Sequence, residues 1–208
     1  LNDPRVEGSL SSRFRNRRWH DLLQAFPDLA SMRVLDLGGT VDHWESGPVK
    51  PSDVVLLNLG GDAYTGPGIR MIHGDACDPP DELRSEKFDL VYSNSLIEHV
   101  GGFSNRIAVA ENVHSFAPRH WVQTPYRYFP VEPHWLFPGL QFLPIPLRVK
   151  AAQRWPLGWS QPEGRDNVAH VLNVELLTRT EMHFLFPDSE IAEERAAGLC
   201  KSLIALQR

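Results

Sequence analysis

The chain has 208 residues, 42% hydrophobic and 23% charged, a balance that fits a globular protein with one sizeable core. A formal net charge of −5 and a pI near 6.0 exclude a net basic surface, and with it a protein whose main business is nucleic acid or an anionic membrane. Cys77 and Cys200, far apart and without metal-type spacing, fit a reducing compartment better than a disulfide framework. The opening LNDPRVEGSL lacks the basic and apolar regions of a signal peptide, and no eighteen apolar residues run together. A cytoplasmic protein that spans no membrane is the expectation.

In chain order, Ser11 and Ser12 stand as N-caps before RFRNRRWHDLLQAF, where Trp19, Leu22, Leu23 and Phe26 recur at i, i+3, i+4 and i+7, one helical stripe ending at Pro27. RVLDLG, DVVLLNLG, IRMIHGDA and FDLVYSNS follow as short apolar runs, the pattern of buried parallel strands. Between the third and fourth, DPPDELRSEK allows only a short helix or turn, whereas SNRIAVAENVHSFA supports a full helix after Ser104. HWVQTP is a fifth strand, stopped by Pro125.

The segment at about 125–160, beginning PYRYFPVEPHWLFPGLQ, packs prolines and aromatics too densely for a regular element and reads as an insertion. Beyond it, Thr178-x-x-Glu181 is a capping pattern before a helix ending at Pro187. EIAEERAAG and CKSLIALQR flank Gly198 as a final antiparallel strand pair. Strands alternating with crossovers imply an α/β domain over 1–208: a doubly wound, mostly parallel, seven-stranded sheet with helices on both faces.

The ordered set VLDLGG, VVLLNL, GDACD and FDLVYSNSLIEHV resembles the motifs of class I S-adenosylmethionine-dependent methyltransferases, across the chain from Ser11 onward. VQTPYRYFPVEPHWLFP and ERAAGLCKSLIAL resemble a small bacterial group that includes a mycobacterial sugar O-methyltransferase of methylmannose polysaccharide synthesis. The resemblance implies a Rossmann-like methyltransferase fold that binds S-adenosylmethionine, releases S-adenosylhomocysteine, and methylates a hydroxyl of a small carbohydrate. It further implies that Asp36, Gly38 and Gly39 border the cofactor's amino-acid end, that Asp75 and Ala76 border its adenine, and that Ser93 ends a cofactor-lining strand.

Asn58 departs from the family pattern, whose second strand ends in an acid for the ribose diol; an amide accepts through oxygen but also donates. Asn58 serves the ribose or is a strand-end residue satisfied by its neighbours. In RFRNRR, Arg13 and Arg17 share a helix face at i, i+4, and are the candidates for a forked ion pair to the cofactor carboxylate, the other reading being a solvated face. Asp42, His43 and Trp44 form a bulky turn, with Trp44 expected to close over the cofactor's amino-acid end.

Methyl transfer to oxygen needs an aligned hydroxyl and a base near neutrality, for which histidine is suited. His99, beside Glu98 at the rim after the fourth strand, and His134, fixed between Pro133 and Trp135, are the candidates; each alternatively only packs or anchors its loop. Tyr126, Tyr128 and Trp135 offer faces to a sugar ring, and Gln123, Arg127, Glu132 and His134 offer edges. The same aromatic run fits a lid or a homodimer interface. A divalent metal such as magnesium is compatible with acids and histidines near strand ends, but no ligand set is assigned. Zinc is not expected, because no cysteine pair or HxxxH occurs.

Overall fold

The computed structural model describes residues 10–60, 63–155 and 166–208. The polar opening segment and the last residues of the predicted insertion lie outside the described residues.

Helix α1 (Leu10–Ala25) buries Trp19 and Leu22, with Phe26 just beyond its end, the stripe read from the sequence. β1 (Arg33–Leu37), a short α2 (Val41–Glu45), β2 (Asp53–Asn58), β3 (Tyr64–Gly66) and β4 (Ile69–His73) follow. Next come α3 (Asp81–Arg84), β5 (Leu90–Asn94), α4 (Gly102–Phe116) and β6 (His120–Pro125). The remainder comprises β7 (Val131–Glu132), β8 (Phe137–Pro138), α5 (Ile145–Arg154), α6 (Asp166–Leu172), α7 (Arg179–Leu185), β9 (Glu190–Ala196) and β10 (Leu199–Gln207). Among the described residues no helix is long and apolar enough to cross a membrane.

The main sheet has eight strands in the order β3-β4-β2-β1-β5-β6-β10-β9, one more than the sequence pattern suggests. The extra strand is β3, three residues paired antiparallel to β4, too short to show alternation. The five central strands are parallel, and β10 and β9 close the far edge antiparallel. Strand alternation sends Leu35, Leu37, Val91 and Val122 to a face covered by α4 and α7. Val34, Leu56, Leu90, Tyr92 and Trp121 go to the opposite face, covered by α1 and α2. This two-sided burial is why the strands read as continuous apolar runs.

Helix α7 starts with the expected capping box: the Glu181 amide donates to Thr178 Oγ1 at 3.2 Å, and the Thr178 amide donates to Glu181 Oε2 at 2.7 Å. The Pro-rich insertion, read as irregular, contains regular elements. β7 pairs with β8, and α5 begins after Pro144 with Pro146 in its first turn, where proline is tolerated. Trp135 and Leu140 of the insertion form a small core with Val171 of α6.

Candidate active site

The sheet order reverses at β1, which lies between β2 and β5. In a doubly wound sheet ligands bind outside the carboxyl ends of the strands at such a switch point. Gly38, after β1, has φ +81° and lies close to Leu96, a conformation and a clearance that only glycine supplies easily. Beneath Gly39 sits the Asp36 carboxylate, with which a Cβ at Gly39 would collide.

Asp36 shares the α1 face of β1 with Val34 and is 1% exposed. The Trp44 indole N–H donates to Asp36 Oδ2 at 2.8 Å, while Oδ1 has no partner among the described residues. Burial pushes the Asp36 carboxyl up to about 7, against the opposing pull of the Trp44 hydrogen bond. Trp44 is itself fully buried, edge-on to Trp19 and Tyr92. It therefore supports the glycine loop from below, and presents no surface with which to close over a cofactor. His43 stacks between Trp19 and Tyr92; burial, then the charges of Arg18 and Arg15, hold it near 4 and hence neutral.

Asn58 is hydrogen-bonded to its neighbours. Its Nδ2 donates to the carbonyls of Gly38 at 3.3 Å and Gly39 at 3.0 Å, and its Oδ1 accepts from the Gly60 amide. Asp75 Oδ1 accepts from the Cys77 amide at 2.8 Å, and the Ala76 carbonyl accepts from Asn112. Ser93 is buried, its hydroxyl donating to the Leu37 carbonyl at 3.0 Å, so its side chain ties β5 to β1.

The arginine cluster divides by helix phase. Arg13 is exposed, and Arg17 faces solvent at 3.8 Å from Asp21. Arg18 turns inward instead, donating to Asn94 Oδ1 at 3.1 Å and lying 3.3 Å from Oε1 of the buried Glu194. Asn94 is the last residue of β5, beside the switch point, and neither it nor Arg18 is among the residues singled out from the sequence. The signal was present: counting back four and seven from the buried Leu22 gives Arg18 and Arg15, the sheet-facing stripe.

On the rim after β5, Ser95 adopts φ +61° and the chain turns to bury Glu98 completely. Thr124 Oγ1 donates to Glu98 Oε2 at 2.9 Å, and burial raises the Glu98 carboxyl above its ordinary value. His99 Nε2 lies 3.0 Å from His134 Nε2, and His134 Nδ1 lies 2.7 Å from Glu132 Oε1. Glu132 is held in turn by the Trp135 amide on Oε2. Burial alone would lower His134, but the hydrogen bond to Glu132 and the charges of Glu132 and Glu98 outweigh it and raise the imidazole. Glu98, His99 and His134 thus bring one ligand-type atom each within 4.8 Å of one another, a grouping that no local spacing rule detects.

A cleft of about 470 Å³ opens beside this cluster, lined by Arg127, Glu132, Trp135, Gln141 and Arg148 among others. Tyr126 and Tyr128 meet edge-on, and Tyr128 stacks on Phe142 at the surface. Gln123 is 2% exposed and its amide donates to Glu194 at 3.4 Å; it points into the sheet edge and offers no edge to a sugar.

No family model matches the chain, and no curated protein matches it in sequence. Among solved structures it is similar to magnesium protoporphyrin IX methyltransferase from Synechocystis PCC 6803 with bound S-adenosylhomocysteine: TM-score 0.54, 11% identity, 99% of this chain and 90% of that one. It is similar to the N-terminal domain of EvdMO1 in the presence of S-adenosylhomocysteine and D-fucose: TM-score 0.53, 16% identity, 97% and 85% covered. It is also similar to a Rhodobacter sphaeroides protein provisionally described as a zinc-dependent alcohol dehydrogenase: TM-score 0.59, 8% identity, 92% and 88% covered. At these identities the likeness establishes the fold: the chain has the Rossmann-like architecture on which such methyltransferases are built.

Proposed function

We propose that the protein is an S-adenosylmethionine-dependent methyltransferase acting on a hydroxyl of a small carbohydrate. One juxtaposition supports this reading above the others. A two-glycine loop at the β1/β5 switch point lies across from a rim that carries a carboxylate-backed imidazole pair. Gly38 and Gly39 would face the cofactor at the switch point, with Asp75 and Ala76 toward its adenine. Arg18, which donates to Asn94 at the end of β5, joins Arg13 and Arg17 as a candidate partner for the cofactor carboxylate.

The acceptor enters through the cleft bordered by Arg127 and Arg148, whose charged groups suit hydroxyl edges, while the buried Glu132 and Trp135 hold its wall. In the reaction the hydroxyl oxygen attacks the methyl carbon in line as the carbon–sulfur bond breaks. The hydroxyl proton passes to the His99–His134 pair, whose Nδ1 on His134 is fixed by Glu132, and S-adenosylhomocysteine leaves. General-base catalysis of this kind contributes about 10²–10⁴-fold.

The test is calorimetry with S-adenosylhomocysteine followed by a labelled-methyl screen over partly methylated oligosaccharides. Binding and transfer are expected, with His134→Ala lowering transfer about 10²–10⁴-fold while cofactor binding is kept. A protein that gives no heat with S-adenosylhomocysteine well above micromolar concentration is not this enzyme.

A further inference from the structure

We infer that Glu98, His99 and His134 form a binding site for a divalent transition-metal cation, through one carboxylate oxygen and two imidazole nitrogens. The two Nε2 atoms face each other at 3.0 Å, with the rings edge-on at 89°. Two nitrogens each about 2.0–2.1 Å from one zinc-sized ion lie roughly this far apart. A proton shared between the imidazoles accounts for that spacing equally well; the third donor, Glu98, is what favours a cation.

Glu98 is 0% exposed. One oxygen is satisfied by Thr124, while Oε1 has no hydrogen-bond partner among the described residues and lies 3.9 Å from His99 Nε2. A buried carboxylate oxygen aimed at two imidazole nitrogens is compensated by a cation between them. The surroundings support the same arrangement. Glu132 holds His134 by Nδ1 at 2.7 Å, as the outer carboxylate that orients a ligating imidazole.

The donor set also selects the ion. Two imidazoles and one carboxylate suit zinc, cobalt, nickel or iron, whereas magnesium favours oxygen ligands and retained water. Magnesium, with which the acids and histidines near the strand ends are compatible, fits this donor set less well, and zinc, not expected from the absence of a cysteine pair or HxxxH, enters through ligands far apart in the chain. Three protein ligands leave coordination positions open, as in catalytic rather than structural sites. Glu132 and Trp135, close to His134 in the chain, border the cleft, and acceptor hydroxyls coming from it would be the ligands for those positions. That last step rests on the methyltransferase reading; the site itself does not. A cation there would take both Nε2 lone pairs, so the imidazole pair would serve as base in the cation-free protein alone.

The test uses the full 208-residue chain, stripped with a chelator and titrated with Zn²⁺, Co²⁺ and Mg²⁺ by calorimetry. Visible absorption of the Co²⁺ form and S-adenosylhomocysteine binding are read on the same samples, with circular dichroism to show that each variant folds. The expected result is one equivalent of Zn²⁺ or Co²⁺ and no heat from Mg²⁺. Binding is lost in Glu98→Gln and His134→Ala, and weakened about 10–100-fold in Glu132→Gln. A wild-type protein that takes neither Zn²⁺ nor Co²⁺, or folded variants that bind as well as wild type, overturns the site. Cation binding without S-adenosylhomocysteine binding keeps the site and removes the methyltransferase reading; the opposite pattern removes the site and keeps the enzyme.

Discussion

Asp36 is held where a carboxylate is hardest to ionise. The motif VLDLGG places it at the end of β1, but its state depends on Trp44, eight residues on, whose indole seals it beneath Gly39. Asn58 is a similar case: its amide donates to two loop carbonyls, which an acid in that position does not do. The presence of both residues was legible in the pattern, but their partners were not, because side-chain direction around a loop is set by packing. With a folded value near 7 against an ordinary 3.8, the folded state keeps its Asp36 proton longer than the unfolded chain does. Asp36 therefore contributes stability below about pH 4, and that contribution is lost as pH rises to 7, by up to about 1.4 kcal/mol per unit. His43 and His120, both lowered to about 4 by burial, act oppositely: stability is gained as pH rises from 4 toward 6.5. Only a difference measurement isolates Asp36. Denaturant titrations of Asp36→Asn and wild type should show the variant gaining relative stability from pH 4 to 8; a constant difference across that range contradicts a buried, proton-holding carboxylate.

Helix α1 shows what a repeat of apolar residues reveals and what it conceals. It starts at Leu10, so that Ser11 and Ser12, read as N-caps, lie within its first turn, but the stripe of Trp19, Leu22 and Phe26 was evident and the helix carries it. The arginines ahead of it were judged by their mutual spacing, and that selects the solvent face; phase relative to the buried stripe selects the inner one. Arg18 docks the helix onto Asn94 and the 2%-exposed Glu194, which Lys201 and Ser202 also engage. Removing Arg18 leaves a buried carboxylate short of one cation, whereas the exposed Arg17–Asp21 pair is worth little. Arg18→Ala should cost about 1–3 kcal/mol of unfolding free energy, and Arg17→Ala less than about 0.5 kcal/mol, read by denaturant titration. Equal effects would mean that Arg18 does not anchor the helix. The insertion was the least legible element, because two of its prolines, Pro144 and Pro146, read as breakers, sit at the start of α5 where helices accept them.

At the scale of the whole molecule, alternation of apolar runs with helical segments was enough to specify a doubly wound sheet, since parallel strands joined by crossovers have few other arrangements. The site was less legible, because His99 and His134 come from loops 35 residues apart and meet only once β6 and the insertion are in place. Fold alone does not choose a ligand: the same architecture relates this chain to a methyltransferase and to a protein described as a dehydrogenase. On the proposed reading, the loop after β1 makes the choice. A dinucleotide loop clears backbone for a pyrophosphate with a third glycine and a long helix behind it, whereas here Thr40 leads directly into the five-residue α2, which seals Trp44 beneath the loop. A cofactor without a pyrophosphate needs no such clearance. A ligand that binds only the folded chain stabilises it by about 2.7 kcal/mol at 100 times its Kd, and each kcal/mol moves Tm by roughly 2–4 °C in a chain of this size. S-adenosylhomocysteine should therefore raise the melting temperature by about 5–10 °C in a saturable manner, while NADH at the same concentration leaves it unchanged. A shift with NADH and none with S-adenosylhomocysteine would reassign the cleft to a nicotinamide.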